Sequence, residues 1–299
     1  MANPKKVLLI GNAFIDVIAK VSTIPLPGED TSATMMETMV GGCAYNIAMI
    51  LQQFSISYDL LAPIGQGEHA TLLKDTLVST GHKILIEDPR DDNGWCLSLV
   101  DNKGERTFIT FNGIEEYWHE GWFENIDFHQ YYYVYLSGYS LEGSNGKIII
   151  EQLQKYSNHM QIIFDPCPRI KYIDAKVIQS LFSMHPIIHG NEQEICYMAN
   201  QTNIHSALEA LFTKTNRTVI VTLNHKGCVC FDGTTFHSVD SPTVTVIDTI
   251  GAGDSHLAAF IACLVQETSL IDACRISNIV ASQIVQVQGA HCSLDTIPK

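Results

Sequence analysis

Residues 246–265 read VIDTIGAGDSHLAAFIACLV: a short β-like run, then Gly251-Ala252-Gly253 with Asp254, then a long apolar-periodic segment that must be a helix. Small residues let the backbone curl close to a ligand. The first free N–H groups of the helix point outward with the positive end of its dipole, so the turn forms an anion hole. Asp254, in the first helical turn, puts a carboxylate beside that hole. It is badly placed to hold a phosphate and well placed to take a proton from a hydroxyl that attacks one. A plainer reading stands beside this one, in which the glycines only shape a tight turn and Asp254 only favours the helix dipole.

Outward from this stretch, short apolar runs recur at Val7–Ile10, Tyr133–Leu136, Ile162–Phe164, Ile187-Ile188 and Val219–Leu223, each followed by a polar or Gly-rich loop. Such runs fit strands covered on both faces. Helical periodicity separates them, at Ile47, Ile50, Leu51 and Phe54, at Leu72, Leu73 and Leu77, and at Ile148, Ile149 and Leu153. The alternation predicts an α/β fold around a mostly parallel sheet with right-handed crossovers. Two regions break the rhythm, 15–40 with Pro25, Pro27 and Gly28, and 94–112, where WCLSLV and ERTFITF flank the turn DNKG. Together they predict a small antiparallel flap over the main sheet.

The 299 residues carry a net charge of −14, and the only tight basic cluster is Lys5-Lys6. That balance argues against nucleic acid and anionic membranes as partners. Nine cysteines without a CxxC pair read as reduced core thiols, with Cys228 and Cys230 on one face of a strand. The apolar start is cut by Gly11, Asn12 and Asp16, so it reads as a buried strand rather than a signal peptide, and no run is long enough for a membrane helix. The expected location is the cytoplasm. None of the twelve histidines forms HxxxH or a Cys/His set of zinc-like spacing, and most read as surface or core residues.

The string DTIGAGD resembles the signature of the PfkB, or ribokinase-like, carbohydrate kinases. The resemblance implies a ribokinase-like three-layer sandwich, with 1–299 as one kinase domain and the two inserts as a lid. It gives Asp254 the role of catalytic base and gives Gly251, Ala252 and Gly253 the stabilisation of the transferring phosphoryl group. NEQE holds Asn191 and Glu194 at the spacing of the family's NxxE motif, which is linked to Mg²⁺ and phosphate; alone it would be a helix start. FDPCPR is similar to the family's DPNxR segment, which turns Arg169 toward the γ-phosphate, with Cys167 in place of the usual Asn. VTLNHKG matches the strand and loop over the nucleotide, with Thr222 and Gly227 in place and Asn224 where glycine is common. NIVASQIVQVQGAHCS resembles the last helix and the loop that closes over adenine, through Asn278 and Gly289; an ordinary helix with a Gly C-cap reads equally well. Family members often hold a monovalent cation such as K⁺, here at carbonyls near Asp248 and Ile250.

At the acceptor end, MVGGCAYNIAMIL resembles the family's Gly-Gly turn into a helix. Gly41 and Gly42 let backbone amides approach sugar hydroxyls, and Asn46 offers a donor and an acceptor, unless it only satisfies a neighbouring loop. Asp16, with Asn12 nearby, stands where the family holds vicinal hydroxyls; a structural hydrogen bond is the other option for a carboxylate in an apolar stretch. Arg106 in GERTF could reach the acceptor or its phosphate, or face solvent. Tyr139 could line the acceptor pocket or pack. The overall pattern, with DNGWCLSLV before GERTF, most resembles a bacterial branch of uncharacterised sugar kinases. The expected activity is therefore ATP- and Mg²⁺-dependent phosphorylation of a sugar-like small molecule, with a homodimer through the flap as a further expectation. The alternatives are a kinase for a nucleoside or vitamin alcohol, and a sugar-binding regulator that would have lost the base or the glycine hole. Both are present.

Overall fold

The computed structural model describes residues 5–102, 106–290 and 292–294. Its strands and helices follow in chain order: β1 Lys6–Ile10, β2 Phe14–Val21, β3 Ala33–Gly41, α1 Cys43–Gln53, β4 Tyr58–Leu61, β5 Pro63–Ile64, α2 Glu68–Ser79, β6 Ile86–Glu87, β7 Trp95–Val100 and β8 Arg106–Phe111. There follow β9 Tyr131–Ser137, α3 Gly143–Gln154, β10 Gln161–Asp165, α4 Ala175–Phe182, β11 Ile187–Asn191, α5 Glu192–Ala199, α6 Ile204–Thr215, β12 Val219–Thr222, β13 Cys228–Phe231, β14 Phe236–Val239, α7 Ala252–Val265 and α8 Leu270–Ile284.

Eight strands form the main sheet in the order β14-β13-β12-β11-β10-β9-β1-β4. Neighbours from β4 to β12 pair in parallel, and β12-β13 and β13-β14 are antiparallel. The period of two explains the three layers. In β1, Val7 and Leu9 pack toward α1, α2, α7 and α8, whereas Leu8 and Ile10 pack toward α3 and α4, and all four are fully buried. Further along the sheet, Val219 and Val221 of β12 meet α5 and α6 while Ile220 faces α7 and α8.

A second sheet, β3-β2-β7-β8, is built from the two stretches that break the α/β rhythm. Its outer pairs are antiparallel, and β2 joins β7 in parallel because the two strands come from separate insertions into the chain. A short parallel pair, β5 with β6, was not legible in the sequence. Lys103 and Gly104 of the expected turn, Glu105 of the expected strand and His291 of the closing loop lie outside the described residues.

Two expectations shift at their edges. The run Val219–Leu223 stops as a strand at Thr222, where Leu223 opens a tight turn whose N–H bonds Gly227 O. Leu72 is 41% exposed, because only Leu73 and Leu77 fall on the inward stripe of α2. Helix α7 is buried from Ser255 to Cys263 between α1 and α8, which suits its near-continuous apolar sequence. Truncating its fully buried Phe260 to Ala should cost roughly 3–5 kcal/mol. The helix end that carries Asp254 therefore stands on a rigid base. No helix among the described residues is long and apolar enough to cross a membrane.

Candidate active site

The C-terminal ends of the parallel strands β1, β9, β10 and β11 gather Asn12, Ser137, Asp165 and Asn191 at one rim of the sheet, where open α/β folds place their ligand crevice. The N-termini of α1 and α7 open at the same rim. Gly42 caps α1 with φ 96°, and a Cβ there would lie 2.6 Å from Asn12 O, so no larger residue fits that turn. Gly251 caps α7 with φ 71° against Ala290 of the closing loop. Among the described residues none accepts from the Gly253 or Asp254 N–H groups, and a Cβ on Gly253 would meet nothing within 4 Å. The Ala252 N–H reaches Thr249 O at 3.3 Å. The turn therefore presents two free donors to open space.

Asp254 is half-buried beside those donors. Asn46 Nδ2 donates to Asp254 Oδ2 at 2.7 Å, and the Cys43 thiol also bonds this carboxylate. Burial raises the carboxyl above the ordinary range, and the two hydrogen bonds only partly offset it. A carboxylate tuned upward in this way is a better proton acceptor. The Oδ1 atom of Asn46 is buried without a partner. Asn46 thus satisfies Asp254, not a loop, and keeps one acceptor free.

Asp16 sits on β2 next to Gly41, the last residue of β3, and no described residue hydrogen-bonds its carboxylate. Burial, then repulsion from Asp254, pushes it up to about 6, and Arg106 pulls in the opposite direction. Asn12 Oδ1 accepts from Ser140 Oγ at 3.4 Å. Arg106, at the start of β8, does not face solvent. Its Nη2 lies 2.9 Å from Asp248 Oδ1, and its Nη1 is buried without a partner. The other contacts of Asp248 are the Ile250 and Gly289 N–H groups, each at 3.0 Å. Burial would raise Asp248, but these hydrogen bonds and Arg106 outweigh it and hold the carboxyl below its ordinary value.

The phosphate-side motifs are more structural than the sequence implied. Asn191 and Glu194 form a reciprocal capping box at α5, with both bonds at 2.9 Å. Glu194 is nonetheless within electrostatic reach of Asp254 and Asp165, and burial raises it first. Arg169 turns to Glu142, with Nε and Nη2 bonding the carboxylate at 2.5 and 2.7 Å, and lies over the Tyr172 ring. Its charge is taken up there and is not brought to Asp254. Asn278 is buried, with Nδ2 donating to Val239 O and Asp240 O and Oδ1 facing His256, which in turn meets His189. These contacts fix α8 to β14. Gly289 does not cap α8, which ends at Ile284 with Val285 as its cap. Asn224 keeps φ at 54°, a left-handed conformation that Asn tolerates where glycine is usual. Thr222 Oγ1 leans to Gly190 O, and Gly227 has φ 88°.

The sequence reading missed Asp165 and Cys43 as site residues, although both lie inside quoted motifs. Burial, with Glu194 and Asp254 adding repulsion, drives Asp165 well above the carboxylate range. Tyr139, 42% exposed, stands within electrostatic reach of Cys43, Cys167 and Asp165 and is not packed in the core.

The profile of the pfkB family carbohydrate kinases matches residues 4–297, nearly the whole chain. The chain belongs to that family. It is 32% identical over 97% of its length to an uncharacterised sugar kinase of Escherichia coli (strain K12), YegV, and covers 91% of that relative. It is 25% identical over 92% of its length to a nucleoside kinase of Thermoplasma acidophilum, covering 88% of that protein. The structure of Arabidopsis thaliana ribokinase complexed with ribose and ATP superposes with a TM-score of 0.79 at 21% identity, over 96% of this chain and 94% of that one. A pfkB fold and membership make the protein a phosphotransferase acting on a sugar or nucleoside hydroxyl, with a ribokinase-like three-layer architecture.

Proposed function

We propose that this pfkB member transfers the γ-phosphate of ATP to a hydroxyl of a small polyhydroxylated acceptor, with Asp254 as the general base. The observation that carries the reading is the pairing of Asp254 with the free N–H groups of Gly253 and Asp254 at the end of a buried helix. A proton acceptor and an anion hole then flank a single point, where the attacking oxygen meets phosphorus.

The acceptor end is rich in unused hydrogen-bond acceptors: the Asp16 carboxylate and Asn46 Oδ1. Hydroxyl groups are the complementary donors, and two hydroxyls held this way would orient a third toward Asp254. Ribose in a nucleoside meets the same acceptors, and the nucleoside kinase relative keeps that alternative in view. On the nucleotide side, the proposed contacts are Gly251 and Ala252 at the start of α7, Thr222, Asn224 and Gly227 at the end of β12, and Gly289 of the closing loop.

Burial, with repulsion from Asp254, raises Glu194, and burial, with repulsion from Glu194 and Asp254, raises Asp165, so the crevice favours a cation that arrives with the nucleotide. Mg²⁺ bound with ATP would supply charge neutralisation there, with Glu194 and Asp165 as the residues facing it. A monovalent cation at the Asp248 and Ile250 carbonyls fits less well, because Arg106 already supplies the positive charge at Asp248.

The four-stranded sheet is the proposed lid, and its outer strands expose Met35, Met36, Phe108, Ile109 and Phe111. That apolar surface supports a homodimer through the lid, which light scattering tests directly. Nine cysteines without a disulfide among the described residues favour a reducing compartment, the cytoplasm. The deciding experiment is a screen of sugars, polyols and nucleosides for acceptor-dependent ADP formation. Turnover with one of these classes supports the reading, and ATP consumption that no hydroxyl acceptor stimulates would reject it.

A further inference from the structure

The described residues hold one cluster with metal-ligand spacing, and it borders the proposed base. Cys43 opens α1, Asp165 ends β10 and Cys167 lies two residues beyond it; the two Sγ atoms and a carboxylate oxygen all lie within 4.8 Å of one another. Two sulfurs bound to zinc at tetrahedral angles stand about 3.8 Å apart, so small rotamer shifts would close the set. The pieces are already tied together. Cys43 bonds Cys167 and Asp254, the Cys167 N–H donates to Asp165 Oδ1 at 3.1 Å, and Ser137 Oγ lies 3.5 Å from Cys167 Sγ.

Cys167 also holds φ at 54°, a backbone state that suits the Asn usual at this point of the motif better than a cysteine. The chain therefore keeps a sulfur here against the conformational preference of the position. Thiolates prefer zinc-class ions, whereas Mg²⁺ prefers oxygen and water, so this set discriminates against the cation that accompanies ATP.

We propose that Cys43, Asp165 and Cys167 form an inhibitory site for a thiophilic divalent ion of the Zn²⁺ class, which when filled draws Asp254 away from the acceptor hydroxyl. Binding displaces the two thiol protons and the proton held by the raised Asp165 carboxyl to solvent and forms two metal–sulfur bonds and one metal–oxygen bond; the fourth position falls to the Asp254 carboxylate. Cys43, held up by its bond to Cys167 and by burial, and Cys167, held up by burial, are protonated at neutral pH. Binding accordingly tightens as pH rises. The inhibitory half of the proposal rests on Asp254 acting as base. The binding half does not.

The test is a Co²⁺ titration of the metal-free enzyme, followed by turnover with Zn²⁺ added to MgATP and acceptor. One equivalent of Co²⁺ per chain should produce a thiolate-to-cobalt charge-transfer band, present in Cys196→Ala, which removes a distant thiol of α5, and lost in Cys43→Ala and Cys167→Asn. Zn²⁺ should abolish turnover of the unmodified enzyme, with recovery on chelation, and should leave the rate of Cys167→Asn at that variant's own metal-free value. Circular dichroism and melting establish that each variant is folded. Should Cys43→Ala not fold, Cys167→Asn decides alone, since it restores the residue that suits the left-handed backbone. Absence of the band, its survival in Cys167→Asn, or undiminished turnover of the unmodified enzyme under Zn²⁺ would overturn the proposal.

Discussion

Asn46 Nδ2 donates to Asp254 Oδ2 at 2.7 Å, joining the helix that follows the Gly-Gly turn to the helix that carries the proposed base. The bond stabilises the ionised carboxylate and so opposes the upward push of burial. Removing it in Asn46→Ala should raise Asp254 further, leaving less of it deprotonated at any given pH. The acidic limb of the kcat profile should move to higher pH. A limb in the same place would separate Asn46 from the base.

Asp16 adds a second pH dependence, also on the acidic side but read in KM. Burial and Asp254 push its carboxyl up to about 6, so acidification from neutral pH through that value replaces an acceptor of two hydroxyl bonds with a carboxylic acid. The KM for the acceptor should rise below about pH 6 while the KM for ATP stays level, and Asp16→Asn should raise acceptor KM at all pH values and flatten the dependence. Equal effects on both substrates would remove Asp16 from the acceptor site.

Glu115 stands at the root of the four-stranded sheet. Glu115 is 4% exposed and accepts from Asn93 Nδ2 at 2.7 Å and from Gly94 N–H at 3.0 Å, at the entry to β7. Burial pushes its carboxyl from an ordinary 4.5 up to about 7. The folded state then holds the proton more tightly than the unfolded one. Stability from this group is fully present below pH 4.5 and is lost as pH rises through 7, by roughly 3 kcal/mol at most. Denaturant midpoints of Glu115→Gln should fall less steeply with pH over that window than those of the unmodified protein; parallel slopes would contradict the assignment.

Arg106 and Asp248 connect the four-stranded sheet to the loop before α7. Arg106→Ala leaves Asp248 buried but still bonded by two N–H groups, so the loss should be about 2 kcal/mol, below the roughly 3–5 for an uncompensated buried charge. Urea unfolding measures it. Since Arg106 supplies the counter-charge, exchanging K⁺ for Na⁺ should leave turnover of the unmodified enzyme essentially unchanged, and a strict K⁺ requirement would refute that role.

The sheet was legible because burial on both faces leaves uninterrupted apolar runs such as Val7–Ile10, and the glycine turn into α7 was legible because DTIGAGD is local in sequence. The partners of the site's members were not. Glu142 lies 27 residues from Arg169, and Asn278 spends its amide on Val239, neither of which any local pattern encodes, whereas the cap that Asn191 and Glu194 form was open to a local reading of NEQE as a helix start. Cys43 and Cys167 come together only because the start of α1 and the turn after β10 meet at one rim of the sheet. Long-range pairing of polar groups is decided by packing, and a single chain read in order carries little trace of it.

In the proposed reaction Asp254 accepts the proton of the attacking hydroxyl. Single-turnover phosphorylation by Asp254→Asn, measured beside ATP binding to the same variant, addresses that step most directly. ATP affinity should be nearly unchanged and the rate lower by about 10² to 10⁴; transfer at a near-normal rate would contradict the role of Asp254 as base.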